Sequence, residues 1–187
     1  MGFRYGKSGF VEINMKLETS RLTIRYIKDS DWGSLIDIWS DFSQSEFAKY
    51  DIPHSTDETV VQAKAKQWTA ISPEKEHMFF VVCLEADMIG YFDFHKTDDG
   101  YECGYCFHSR YHGNGYAKES LSALIKRLSD NHRTRFVAGT ALKNEPSVKL
   151  LENVGFEKIG EEQVSFYKDE NGNDIYFTGG IFLYETT

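Results

Sequence analysis

Three consecutive segments constrain this chain more than anything else in it. Residues 78–84 (MFFVVCL), 88–95 (MIGYFDFH) and 101–107 (YECGYCF) are apolar, aromatic and β-branched, and only the polar turns 85–87 and 98–100 separate them. Strand-like runs joined this tightly pair with their neighbours, so they predict an antiparallel meander. Gly104 inside the third run predicts a bulge or a close backbone approach. A glycine-rich stretch follows, and then Leu121, Leu124, Ile125 and Leu128 recur at the i, i+3, i+4, i+7 spacing of an amphipathic helix. The meander therefore has a helix to cover it.

The flanking text extends the pattern. Residues 21–27 (RLTIRYI) alternate as a first strand does, with Leu22, Ile24 and Tyr26 on one face. Residues 28–31 (KDSD) offer caps for a helix carrying Leu35, Ile36, Ile38 and Trp39. A second helix starts after Pro53 with Ser55 or Thr56 as its cap and stops before Pro73. Residues 135–141 (RFVAGTA) read as another strand, and 146–153 as a short helix ended by Gly155. Residues 161–168 and 175–184 form a terminal hairpin about the turn 169–172. The expected order is β-α-α-β-β-β-α-β-α-β-β, a mixed α/β (α+β) fold with a mostly antiparallel central sheet and helices on both faces.

Length and charge narrow the function. At 187 residues and 41% hydrophobic, the chain suits one compact domain, read as residues 15–187 behind a glycine-rich, patternless stretch 1–14 that is a flexible tail or an upstream-start artefact. A net charge of −8 provides no basic field for phosphate backbones or anionic lipid, so nucleic acid and membrane are not expected partners. An acidic cleft would draw a cationic amine, though solubility explains the same charge. No apolar run can span a bilayer and no basic-plus-apolar secretory leader opens the chain, which gives a cytoplasmic expectation.

Three cysteines, Cys83, Cys103 and Cys106, cannot all pair. On a strand, Cys103 and Cys106 point to opposite faces, which favours buried small hydrophobes over a redox or metal pair. The six histidines, His54, His77, His95, His108, His112 and His132, show no H-x-x-H or H-E-x-x-H spacing, so no metal is expected.

The stretch 109–118 (SRYHGNGYAK) lies between a strand and the amphipathic helix. Glycines there let successive backbone amides converge, and the helix N-terminus adds its positive dipole, so the turn is built for an anion such as a pyrophosphate. Arg110 and Lys118 stand at its two ends to add charge. An ordinary glycine-rich connection has the same letters. A P-loop would need Gly-Lys-Ser/Thr after its first glycine, which is absent. A Rossmann fingerprint would need a small residue at Lys118 and an acid after the next strand, where Ala141-Leu142-Lys143 stands.

Arg110-x-x-Gly113-x-Gly115-x-Ala117 resembles the acetyl-CoA pyrophosphate loop of the GNAT superfamily of N-acetyltransferases, and residues 144–156 (NEPSVKLLENVGF) resemble the same family's N-x-x-S-x-x-L-x-x-x-G-F segment. The opening 17–25 (LETSRLTIR) is similar to the first strand of the RimJ/RimL-like branch, the ribosomal-protein N-terminal acetyltransferases. The resemblance covers about residues 17–185 and implies a splayed central sheet that binds acetyl-CoA. By that resemblance the backbone of Tyr105, Cys106 and Phe107 would receive the pantetheine arm. The amides of His112, Gly113, Asn114, Gly115, Tyr116, Ala117 and Lys118 would hold the pyrophosphate. Asn144 would bond the arm, serve as a plain helix N-cap, or do both.

Transfer to an amine requires a deprotonated nucleophile, a positioned thioester and a proton for the departing thiolate. Glu102 stands where many relatives carry a catalytic glutamate, and a carboxylate beside Tyr101 and Cys103 would have a raised pKa. It is equally an ordinary polar residue on a sheet face. Where relatives place an acid tyrosine this chain has Leu151, which leaves Ser147, or water, as the acid, while Ser147 also suits a capping role. Glu46, Tyr50, Asp51 and the Phe166-Tyr167 region are expected to face the acceptor. The reading is acetyl transfer from acetyl-CoA to a primary amine by a monomer or homodimer. The alternative is a CoA-binding regulatory module without turnover.

Overall fold

The computed structural model describes residues 15–74, 76–129 and 135–186. The expected tail, residues 1–14, and His132 lie outside the described residues. Eight strands form one sheet in the order β1-β2-β3-β4-β5-β6-β8-β7. They are β1 (Lys16–Glu18), β2 (Leu22–Tyr26), β3 (His77–Leu84), β4 (Asp87–Lys96), β5 (Tyr101–Phe107), β6 (Arg135–Ala141), β7 (Glu157–Lys168) and β8 (Asp174–Glu185). Among the described residues four α-helices accompany them: α1 (Trp32–Ser43), α2 (Glu58–Ile71), α3 (Tyr116–Ser129) and α4 (Glu145–Val154). Among the described residues no helix is long and apolar enough to cross a membrane.

The expected element order holds, with one addition at its start. β1 pairs antiparallel with β2, and three residues (KLE) are too few for an alternation to show in sequence. The cap of α2 also moves. Asp57, not Ser55 or Thr56, caps it by accepting from the Val60 amide at 3.0 Å, while the Ser55 hydroxyl accepts from the Asp57 amide at 3.2 Å. A carboxylate at a helix start gains from the dipole as well as from the hydrogen bond. Before α1, the Asp31 carboxylate makes no cap bond to the helix; it accepts from the Lys28 amide at 2.7 Å and is forked by Arg25, whose Nη1 and Nη2 lie 2.7 and 2.8 Å from its two oxygens.

Strand alternation divides the interior in two. Ile24, Phe80, Phe92, Phe94, Cys103, Phe136 and Phe182 face α3 and α4, where Leu121, Leu124, Ile125, Leu128 and Leu151 close over them. Phe79, Val81, Tyr91 and Cys106 face the other way, toward Leu35, Ile38 and Trp39 of α1 and Val61 and Ala65 of α2. Cys103 and Cys106 thus sit in separate layers, both free and both buried. Burial pushes the Cys106 thiol up to about 12.

All neighbouring strands are antiparallel except β5 and β6, and that junction is incomplete. β5 meets β4 at seven register positions and β6 meets β8 at seven, but β5 and β6 pair only at Tyr101↔Phe136 and Glu102↔Val137. Beyond Glu102 the two strands part, so the β6-facing edge of residues 103–107 has no strand partner. The sheet is splayed at its centre.

Candidate active site

Three pieces of backbone meet at the splay. The first is the free edge of β5. The second is the turn that follows it, where a short helical turn, Ser109–Tyr111, leads to Gly113 and Gly115 at φ +77° and +76°. Those left-handed values suit glycine, and an added Cβ at Gly113 would meet open space, so the turn is exposed outward. Among the described residues the backbone amides from Gly113 through Lys118 donate to no protein acceptor, whereas Glu119 is the first to close a helical bond, to Gly115. A row of unused amides at the start of a 14-residue helix is chemically suited to receive an anion.

The row starts one residue later than the sequence expectation. The His112 amide is used by the Ser109 carbonyl at 3.0 Å, and its ring Nε2 lies 2.9 Å from the Phe107 carbonyl. Arg110 leans on Tyr111, its guanidinium carbon 5.7 Å from the ring centre, and Lys118 is exposed at the far end.

The third piece is the start of α4. Asn144 does cap it, its Oδ1 accepting from the Ser147 amide at 3.3 Å. The Ser147 hydroxyl is 2.6 Å from the Tyr105 hydroxyl, so a hydrogen bond crosses the gap from β5 to α4. Burial pushes the Tyr105 phenol well up, so it stays protonated at neutral pH and can act as a donor. This pairing was invisible in sequence, because Tyr105 and Ser147 are 42 residues apart.

Glu102 lies at the last paired position before the splay and is exposed. The apolar setting expected for it does not form: Tyr101 and Cys103 alternate into the layer under α3 and α4, away from it. Its neighbours on the open face are polar. His95 is its cross-strand partner, His95 Nε2 is 3.1 Å from Asp93, and His95 Nδ1 is 2.9 Å from His77 Nδ1. The hydrogen bond to Asp93, together with the charges of Asp93 and Glu102, holds the His95 pKa above its ordinary value against the opposing effect of burial. The Asp93 carboxylate covers Gly104, where an added Cβ would stand 2.6 Å from Oδ1. Neither the bulge nor the close backbone approach expected at Gly104 is present; its missing Cβ makes room for the Asp93 side chain. Asp93 and His95 were legible as a D-x-H pair of polar letters in an apolar strand.

The segment between α1 and α2 meets the β7–β8 hairpin toward the other end of the splay, where β6 ends at Ala141. Tyr50 packs edge-on against Phe177 at 5.2 Å, and the Tyr167 hydroxyl donates to the Ala48 carbonyl at 3.2 Å. An open hollow of about 620 Å³ lies there, lined by Tyr50, Leu142, Lys143, Tyr176 and Phe177 among others. Of the residues expected to face an acceptor, Tyr50 lines it; Glu46, Asp51, Phe166 and Tyr167 do not.

Comparison with known proteins places this geometry. Residues 21–157 match the acetyltransferase (GNAT) domain. An uncharacterized N-acetyltransferase p20 of Bacillus licheniformis is 30% identical over 151 residues, 77% of this chain and 83% of that protein. Two solved structures share the fold at low identity. The ribosomal L7/L12 α-N-protein acetyltransferase RimL aligns with a TM-score of 0.79 and 16% identity over 92% of this chain and 95% of its own. The microcin C7 self-immunity acetyltransferase, solved in complex with acetyl-CoA and AMP, aligns at 0.77 and 17% over 90% and 94%.

Proposed function

The chain belongs to the acetyltransferase (GNAT) domain family, and from that premise we propose that it moves the acetyl group of acetyl-CoA to a primary amine by direct transfer in a ternary complex. The observation that carries this reading is the unpaired edge of β5 lying next to the unused amides of Gly113 through Lys118. Those amides, with Lys118 and Arg110 at the ends of the turn, bind the diphosphate. The backbone of Tyr105, Cys106 and Phe107 orients the pantetheine arm along the splay, and Asn144 borders it. When bound, acetyl-CoA supplies an activated thioester. A main-chain amide in the gap polarises its carbonyl.

Glu102 accepts the proton that an acceptor ammonium must lose before its nitrogen can attack. The Ser147 hydroxyl, held by Tyr105, returns a proton to the departing sulfur, and the phenol behind it can replace that proton. No side chain needs to form a covalent intermediate. The acceptor enters between the α1–α2 segment and the β7–β8 hairpin, where Tyr50 and Phe177 supply aromatic surface. A protein N-terminus and a small-molecule amine both fit a site that open, in a cytoplasmic enzyme acting as a monomer or homodimer.

The test is release of free thiol from acetyl-CoA against a panel of amines and N-terminal peptides, paired with calorimetry of CoA binding. Acceptor-dependent thiol release is expected. Saturable CoA binding with no release for any acceptor would support the regulatory alternative, and no CoA binding at all would end both readings.

A further inference from the structure

One carboxylate ties the start of β2 to the anion-binding turn. Glu119, in the first turn of α3, accepts from the hydroxyls of Thr19 and Ser20 and from the Arg21 amide and Nε, the last at 2.8 Å. Arg21 Nη2 lies 2.7 Å from the same carboxylate. The other arm of the guanidinium, Nη1, donates to the Asn114 carbonyl at 3.0 Å, and its carbon sits 4.5 Å from the centre of the Tyr116 ring. Burial works against the charged form of Glu119, yet the hydrogen bonds from Thr19, Arg21 and Ser20 hold its pKa below the ordinary value.

Two physical consequences follow. The peptide joining Asn114 to Gly115 is trans and planar, so its carbonyl and its N–H point in opposite directions. With the carbonyl pinned by Arg21, the Gly115 amide is turned away from Arg21, into the cradle. The second consequence is electrostatic. A carboxylate suits a bare helix start, but it repels a diphosphate brought to the same place, and Arg21 cancels that repulsion.

We infer that Arg21 is a positioning residue of the diphosphate cradle, orienting the Gly115 amide and neutralising Glu119 from outside the glycine motif. The inference rests on the proposed binding of CoA and deepens it. It also gives a physical role to Thr19-Ser20-Arg21 in the opening motif.

The experiment is calorimetry of CoA binding to the full chain at low and moderate salt, with wild type, Arg21→Ala, Arg21→Lys and Arg21→Ala/Glu119→Gln, and with steady-state kinetics where an acceptor is in hand. Wild type that fails to bind CoA refutes the underlying function. With wild type binding, Arg21→Ala is expected to weaken CoA by roughly tenfold, the worth of a charge-assisted contact, while kcat at saturating acetyl-CoA stays put. The double variant is expected to recover the part of that loss that comes from the uncompensated Glu119 charge, which a merely structural role for Arg21 would not produce. Binding by Arg21→Ala within about twofold of wild type, or a double variant weaker than Arg21→Ala, overturns the inference. If Arg21→Ala does not fold, Arg21→Lys carries the test. It keeps the charge but cannot fork between the Glu119 carboxylate and the Asn114 carbonyl, so it should bind severalfold more weakly, and affinity equal to wild type refutes the role.

Discussion

The two faces of β4 and β5 are made from alternate residues of the same strands and do opposite work. Toward α3 and α4, Phe92, Phe94 and Cys103 are shut in a layer of aromatic contacts, with Phe94 edge-on to both Phe80 and Phe136. On the other face the same strands bury Tyr91 and Cys106 under α1 and α2 and, past them, present Asp93, His95 and Glu102. A period of two lets one sheet hold its backbone rigid from behind while titratable groups stand in front at fixed spacing. The closed face thus sets where the open face can do chemistry.

Breaking the closed face should cost most. Phe94→Ala removes a fully buried ring and is expected to destabilise by about 3–5 kcal/mol in denaturant titration. A loss under about 1 kcal/mol would mean that the layer behind the site is not what holds it. On the open face, Glu102→Gln keeps shape and should leave the melting temperature and CoA affinity alone, while turnover falls on the order of a hundredfold. Unchanged turnover would remove Glu102 as the base and shift attention to Asp93.

Gly104→Ala tests the contact between Gly104 and the Asp93 carboxylate. Its Cβ would stand 2.6 Å from Asp93 Oδ1, so the carboxylate must swing aside, at a cost of about 1–3 kcal/mol and with loss of its hold on His95. Because the clash is pairwise, Asp93→Ala should absorb most of that cost in the double variant. Simple additivity would show that Gly104 is needed for another reason.

The geometry of the proposed cofactor side was legible because it is local. A diphosphate turn needs left-handed glycines and a helix start within a few residues, and 109–118 holds both; Asn144 caps the very next helix motif in the way its letters imply. The proposed acceptor side depends on contacts between distant segments, such as Tyr50 with Phe177 and Tyr167 with Ala48, and no local pattern encodes them. The expected apolar setting for Glu102 failed for a different reason. Sequence neighbours on a strand are not spatial neighbours, and the alternation that separates Cys103 from Cys106 equally separates Glu102 from Tyr101 and Cys103.

The smallest effect concerns protons on the open face. His95 faces Asp93 through Nε2, His77 through Nδ1 and Glu102 across the strand pair, with the Phe79 ring edge-on beside it. Protonated His95 can donate from both nitrogens, toward Asp93 and toward His77 Nδ1. A folded pKa raised mainly by the Asp93 hydrogen bond means that the folded state binds the proton more tightly. The stability this contributes is fully present below the ordinary imidazole value of 6.5 and is lost as pH rises through the raised folded value. His95 is more than a third exposed, so solvent screening limits the contribution to roughly a few tenths of a kcal/mol. Imidazole NMR titration should find His95 above 6.5 in the wild type and shifted down in Asp93→Asn, with the pH dependence of the melting temperature flattened over the same range. A titration unmoved by Asp93→Asn would separate His95 from Asp93 and leave Glu102 as the charge that sets it.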